Sequence, residues 1–197
     1  MDTTTFYGDH HVILEEATQT ILTICQQIKT EKNCIEHINS RLKSPASVEK
    51  KLCKHGHCAT PEAAIAHLTD LVGIRLVCRF ICDIYTVAEL LQSQCHVVTV
   101  KDYIANPKPN GYRSYHMILM VPTTHGHTVA VEVQLRTISQ DAWACLEHQL
   151  KYKKEIHAER LVREELKRCA DDLASTDLCM QTLREFIDMD SHIVWDG

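Results

Sequence analysis

The alternation of apolar and polar residues is sharpest in 129–136, where Val131, Val133 and Leu135 share one parity and Glu132, Gln134 and Arg136 share the other. A period of two predicts a strand with one buried and one polar face. Residues 114–121 read as its antiparallel neighbour, joined to it through Thr123-Thr124-His125-Gly126-His127-Thr128. The run from Asp70 to Phe80 is almost wholly apolar and fits a buried central strand. Residues 35–42 and 95–100 supply two more strands. The period lengthens elsewhere: Val12, Ile13, Ala17, Ile21, Ile24 and Ile28 recur at helical spacing through 9–37, with no glycine or proline among them. Shorter helices are expected over 45–53, where Ser44-Pro45 marks the start, from Pro61 with Thr60 as cap, and over 84–94 with Asp83 as cap. A helix over 138–151 puts Trp143, Leu146, Glu147 and Leu150 on one stripe. Its aromatic and leucines are expected in the core, with Glu147 as a hydrogen-bonding partner. A charged helix over 155–188 closes the chain, and Leu161, Leu166, Ala170, Leu173, Leu178, Met180, Leu183 and Phe186 give it an apolar side for the body or for a second subunit.

This order of strands and helices predicts an α/β (α+β) fold with long helices at both termini. With 197 residues and no repeat or boundary signal, one domain over 1–197 is expected. Hydrophobic content of 45% and charged content of 24% suit a globular protein, and the net charge of −5 excludes one that coats nucleic acid electrostatically. No apolar run reaches membrane-spanning length, and the start lacks signal-peptide character, so a cytoplasmic protein is expected. The ten cysteines are scattered among apolar neighbours, as small reduced residues are. Cys53, His55, His57 and Cys58 are the exception, but so short a loop rarely wraps four ligands around one tetrahedral ion.

Candidate chemistry gathers in three places. Arg41, Lys43, Lys50, Lys51 and Lys54 form a basic cluster around a helix start, where unpaired N–H groups add to the cations as a phosphate site. Asp70 opens the apolar strand, and a carboxylate there is costly unless paired or metal-bound. Asp70 and Arg75 have opposite parity, so either Gly73 marks a bulge or only one of the two belongs to a site. The loop 101–116 brings Lys108, Asn110, Tyr112, Arg113 and His116 around Pro107, Pro109 and Gly111, an inventory for a base, a sugar and phosphates. No Walker loop and no Gly-x-Gly-x-x-Gly is present, so side chains must hold any nucleotide. Asp70 and Glu132 could share one magnesium ion with substrate phosphates, and the basic cluster could neutralise a triphosphate.

Five blocks then carry a resemblance: Arg41-Leu42-Lys43-Ser44-Pro45, Asp70-Leu71-Val72-Gly73-Ile74-Arg75, Lys101-Asp102-Tyr103-Ile104 through Asn110-Gly111-Tyr112-Arg113-Ser114-Tyr115-His116, Glu132-Val133-Gln134-Leu135-Arg136-Thr137 and Trp143-Ala144-Cys145-Leu146-Glu147-His148. In order and content they resemble the RelA/SpoT-type alarmone synthetases over about 36–153, in the short, RelQ-like form. The His-Asp motif of the larger members' hydrolase domain does not occur in this chain. The resemblance implies a mixed β-sheet flanked by helices, a nucleotidyltransferase-like synthetase fold, and a GTP pyrophosphokinase that moves the β,γ-diphosphate of ATP to the 3′-hydroxyl of GDP or GTP, releasing AMP. By motif position Arg41 and Arg75 sandwich adenine, while Lys43, Ser47 and Lys51 contact the ATP phosphates. Asp70 and Glu132 hold Mg2+, and Glu132 also activates the 3′-hydroxyl. Tyr112 stacks on guanine, with Lys101, Lys108, Asn110, His116 and Gln134 on its sugar and phosphates. The resemblance also implies a twist or bulge near Gly73. It further brings a homotetramer built on the terminal helices, an alarmone bound in a central cleft, and single-stranded RNA as partners to test. Two rivals remain at this point: a pyrophosphokinase acting on the 3′ end of tRNA, against which the negative net charge argues, and a nucleotide- or RNA-binding module without catalysis, which would not need both carboxylates.

Overall fold

The computed structural model describes residues 2–151 and 159–191. A five-stranded mixed sheet runs in the order β1-β2-β5-β4-β3, with β1 Ile35–Leu42, β2 Val72–Cys78, β3 His96–Asp102, β4 Tyr115–Pro122 and β5 Thr128–Thr137. Only β2 and β5 are parallel; the other pairs are antiparallel. Helices α1 (Thr3–Tyr7), α2 (His10–Lys32), α3 (Pro45–Lys54), α4 (Pro61–His67), α5 (Ile81–Gln94), α6 (Ile138–Lys151) and α7 (Glu159–Ser191) surround it. One face of the sheet is closed by α2 and α5, where Leu14, Ile21, Ile28, Ile84, Val87 and Leu91 meet Val72, Ile74, Leu76, Met117, Val131 and Val133 in one continuous core. These strand residues share the parity opposite to the polar row, so the other face is left for chemistry. Among the described residues no helix is long and apolar enough to cross a membrane.

Several boundaries differ from the expectation, each for a local reason. Helix α2 stops at Lys32, not at residue 37, because Asn33 adopts the left-handed conformation (φ 50°) and its N–H caps the Lys29 carbonyl. That turn frees Ile35 to start β1. Helix α5 begins at Ile81, three residues earlier than expected; Asp83 still caps it, accepting the Phe80 N–H at 3.2 Å from within the first turn. Helix α1 is not evident in the periodicity. It is set by Asp2, whose carboxylate accepts the Thr5 N–H and hydroxyl, both at 2.8 Å. On α6, Trp143 is buried and donates its indole N–H to the Leu166 carbonyl at 2.8 Å, but Leu146 and Leu150 are exposed, not in the core. Trp143 meets α7 through that bond, whereas Leu146 and Leu150 lie toward water. The predicted start of the last helix, 155–158, lies outside the described residues.

The start of α6 has a signature that periodicity alone passes over. Thr137-Ile138-Ser139-Gln140 forms a capping box: the Thr137 hydroxyl accepts the Gln140 N–H at 3.1 Å and the Gln140 side chain accepts the Thr137 N–H at 3.2 Å. The Thr137 hydroxyl also donates to Asp177 of α7 at 2.6 Å, tying sheet, α6 and α7 at one point. Burial pushes the Asp177 carboxyl above its ordinary range, against the opposing hydrogen bonds from Thr137 and Ser139.

Candidate active site

Strand register assembles the site. Across the sheet, Lys101 of β3 stands opposite His116 of β4, His116 opposite Gln134 of β5, Gln134 beside Arg75 of β2, and Arg75 opposite Asn39 of β1. The adjacent row runs Ile118, Glu132, Gly73 and Arg41. Residues two apart on a strand share a face, so both rows look out from the open side. A cleft of about 110 Å³ there is lined by Asn39, Arg41, Asp70, Gly73, Arg75, Glu132 and Gln134.

The parity conflict between Asp70 and Arg75 dissolves without a bulge. Pairing of β2 is regular through Gly73 on both sides, and the one irregularity in β1–β2 falls between Ile35 and His37. Asp70 lies in the bend before Val72, outside the strand, where alternation does not bind it. Gly73 has another function: a Cβ built there stands 3.6 Å from Cγ and from Nε of Arg41, so the bare backbone is the seat on which the Arg41 side chain lies.

Around Asp70 the cations converge. Lys43 and Lys51 each place Nζ 2.8 Å from Oδ2. The Lys43 backbone is itself clamped, its N–H donating to the Leu71 carbonyl at 2.8 Å and its carbonyl accepting the Tyr7 hydroxyl at 2.9 Å. Burial raises the Asp70 carboxyl, but the hydrogen bonds and charges of the two lysines outweigh it and hold the group below the usual carboxylate range. Oδ1 of Asp70 is buried with no hydrogen-bond partner. Lys50 and Lys54 of the same cluster are exposed and take no part in this contact. Ser47 sits in the first turn of α3, its hydroxyl accepting that of Ser44 at 2.9 Å.

Glu132 faces the same cleft from β5. Its Oε2 accepts the Gln134 amide at 2.8 Å, and Oε1 lies 3.4 Å from Nδ1 of His116. Burial again pushes upward, the His116 and Gln134 hydrogen bonds pull down and prevail, and the Asp70 charge is near enough to oppose them. Glu132 is therefore ionised at neutral pH and within electrostatic reach of a second carboxylate. An orphaned buried carboxylate oxygen beside a second ionised carboxylate is a donor set that fits a hard divalent cation such as Mg2+.

The aromatic loop stands at the β4 end of the cleft. The Tyr112 hydroxyl and His116 Nε2 are 2.8 Å apart, and Lys108 Nζ lies between two rings, 4.4 Å from the Tyr103 centroid and 4.8 Å from that of Tyr112. Asn110 donates to Glu147 at 3.1 Å, so Glu147 is the hydrogen-bonding partner its position on α6 implies. Arg113 turns away from the site. It donates to the Gly111 and Ala170 carbonyls and, at 3.0 Å, to Asp171, pinning the loop to α7. Lys101 lies exposed on the edge strand.

Two residues of the site had no role assigned from sequence. Arg136 is 7% exposed and donates to Asp141 at 2.9 Å, to the Tyr112 hydroxyl at 2.9 Å and to Gln134 at 3.0 Å. Its place on the polar parity of β5 was a signal for it. Asp141 also accepts from Arg75 at 2.9 Å; the capping box was its signal, since that fixes where the first turn of α6 points. In the Cys53 to Cys58 segment His57 stacks on His67 at 3.9 Å, and among the described residues no three His, Cys, Asp or Glu side chains gather as potential metal ligands.

Comparison with known proteins agrees with this architecture. The region found in RelA / SpoT proteins matches residues 40–157. GTP pyrophosphokinase YwaC of Bacillus subtilis is 40% identical over 161 residues, which cover 79% of this chain and 77% of that one. GTP pyrophosphokinase YjbM of the same organism is 35% identical over 155 residues, with 76% and 72% covered. Among solved structures, small alarmone synthetase 2 from Bacillus subtilis superposes with a TM-score of 0.78 at 36% identity, covering 88% of this chain and 95% of that one. Small alarmone synthetase 1 from the same organism, bound to its product pppGpp, gives 0.76 at 31% identity, with 93% and 96% covered. The polar sheet face, its two carboxylates and the tyrosine loop thus sit in a chain that belongs to the RelA/SpoT family.

Proposed function

We propose that this protein is an ATP-dependent GTP pyrophosphokinase that makes (p)ppGpp by transferring the β,γ-diphosphate of ATP to the 3′-hydroxyl of GDP or GTP. The observation that carries the reading is the cleft bordered by both Asp70 and Glu132, with Lys43 and Lys51 on the first and the Tyr112 loop beside the second. It is supported by the names and structures of the relatives, one of them solved with pppGpp.

The adenine lies between Arg41, seated on Gly73, and Arg75, whose guanidinium planes suit a purine face. Lys43, Ser47 and Lys51 take the phosphates, and the two lysines exchange one carboxylate oxygen for phosphate oxygens as ATP enters. Tyr112 stacks on guanine, while Lys101, Lys108, Asn110, His116 and Gln134 hold the sugar and phosphates of the acceptor. Asp70, through its unpartnered Oδ1, and Glu132 would hold Mg2+, which when bound neutralises charge on the transferring phosphates. The acceptor 3′-oxygen bonds to the β-phosphorus of ATP, the bond from that phosphorus to the α,β-bridging oxygen breaks, and AMP leaves with that oxygen. Glu132 takes the hydroxyl proton, and His116 and Gln134 keep its carboxylate ionised and aimed. Positioning and charge neutralisation do most of the work, as phosphoryl-type transfer requires. The exposed apolar side of α7 supports assembly with further copies of the chain, in this reading a cytoplasmic homotetramer. An alarmone or single-stranded RNA binding that assembly is part of the same proposal.

The test is a thin-layer assay with labelled ATP against GDP, GTP, GMP and tRNA. Product with GDP or GTP and release of AMP are expected; label moving only to tRNA would overturn the reading. Glu132→Gln should lower transfer by roughly 100- to 10,000-fold, the usual worth of a general base, with nucleotide binding largely kept.

A further inference from the structure

We propose that Asp141 is a positioning residue that couples the adenine side of the cleft to the acceptor side; the idea rests on the reaction proposed above. Its Oδ1 accepts from Nη1 of Arg75 and from Nη1 of Arg136, each at 2.9 Å. Nη2 of Arg136 then reaches the Tyr112 hydroxyl at 2.9 Å and Gln134 at 3.0 Å, and Gln134 donates to Glu132 at 2.8 Å. An unbroken chain of hydrogen bonds therefore runs from the arginine that would face adenine to the tyrosine that would face guanine and to the carboxylate between them.

Each end depends on Asp141 for a separate reason. A long arginine on a strand presents a fixed plane only if its far end is anchored, and the Nε of Arg75 is buried without a partner. The Nη1 bond to Asp141 thus sets the orientation of the ring-facing plane. Arg136 is 7% exposed, its Nε is likewise without a partner, and its ion pair is with Asp141. A guanidinium buried that far is costly without a counter-charge, so Asp141 also holds Arg136 on Tyr112 and Gln134. The capping box of Thr137 and Gln140 fixes the helix start that projects Asp141 at the sheet.

Asp141→Asn keeps the shape but removes the charge shared by both arginines. Equilibrium binding of a non-hydrolysable ATP analogue and of GDP to the full chain should each weaken roughly tenfold, the worth of a hydrogen bond to a charged group. Steady-state assays should show KM rising for both nucleotides. Arg75→Ala should weaken the ATP analogue alone, and adding it to Asp141→Asn should cost less than it does in the wild type, because the two act through one contact. If Asp141→Asn fails to fold, Asp141→Glu, which keeps the charge but displaces it by a methylene, must show the same joint weakening. A lowered melting temperature with both affinities intact, weakening of one nucleotide alone, or strict additivity with Arg75→Ala would overturn the proposal. Wild-type protein that binds both nucleotides without transferring phosphate would sink the reaction reading and leave this coupling standing; wild-type protein that binds neither would sink both.

Discussion

At the scale of single residues, two glycines separate what parity can and cannot reveal. Gly73 looked like a bulge because Asp70 and Arg75 could not share a face on one straight strand. The conflict arose from counting Asp70 as part of that strand, and side-chain alternation says nothing about a bend two residues before it. What the glycine supplies is room for Arg41. A Cβ at 3.6 Å is ordinary van der Waals contact, so Gly73→Ala should leave ATP affinity close to wild type. Gly73→Val adds two methyls toward Arg41 and should raise KM for ATP roughly tenfold, about the loss of one charged or stacked contact, with the acceptor KM unmoved. Gly111 is constrained more severely: φ is +88°, and an added Cβ would lie 2.6 Å from that of Ala170. Gly111→Ala stores about 1–3 kcal/mol of strain, which is relieved by lifting the loop off α7. Faster amide hydrogen exchange over 108–113 and a raised acceptor KM are the expected results.

At the scale of elements, strands were legible and helix faces only half so. The alternation in β5 identified Glu132 and Gln134 as one row because a strand's period is independent of what lies beyond it. The stripe on α6 misled, since a helix shows which residues align but not how much of that side a neighbour covers; Trp143 is buried with its indole bonded to α7, while Leu146 and Leu150 stay exposed. Arg136 and Asp141 went unassigned because their partners come from four different elements, a register that only the folded sheet brings about. The junction beneath them offers a pH test. Asp177 carries a folded-state carboxyl raised by burial above the ordinary value of 3.8, so the folded chain binds more protons there than the unfolded chain once pH exceeds that value. Its contribution to stability must then fall as pH rises through the window from 3.8 to the raised value and stay low above it. Asp177→Asn removes the titration while leaving an oxygen to accept from Thr137. Melting temperatures compared between pH 4 and pH 7 should show a smaller decline, or a greater rise, for the variant than for the wild type; parallel curves would remove Asp177 from that role.

At the scale of the whole molecule, α7 faces two ways. Ala170, Asp177 and Arg184 turn toward the body, where Arg184 pairs with the buried Asp83 at 2.7 Å. Leu183, Phe186 and Ile187 are 50%, 60% and 68% exposed along the same helix. Isolated exposed leucines are ordinary, but a cluster on one helix end is a surface that water covers at a cost, at about 25 cal/mol for each Å². The body-facing side of α7 also holds the Tyr112 loop, proposed above to bind the acceptor, through Arg113, Ala170 and Asp171. Covering the outer side with another copy would therefore steady the helix on which the loop rests, and assembly and acceptor binding should move together. Leu183→Glu combined with Phe186→Glu places charges on the outer side and leaves the Arg184–Asp83 pair in place. For the homotetramer proposed above, light scattering should show the mass falling to that of the 22.5 kDa chain, while the melting curve of the core is retained. Acceptor KM should rise with little change in KM for ATP, because Arg75 and the lysines are held by Asp141 and Asp70 and Arg41 lies over Gly73, partners outside α7. An unchanged mass would show that this apolar side is not what joins the copies, and a changed mass with unchanged acceptor KM would separate assembly from the loop.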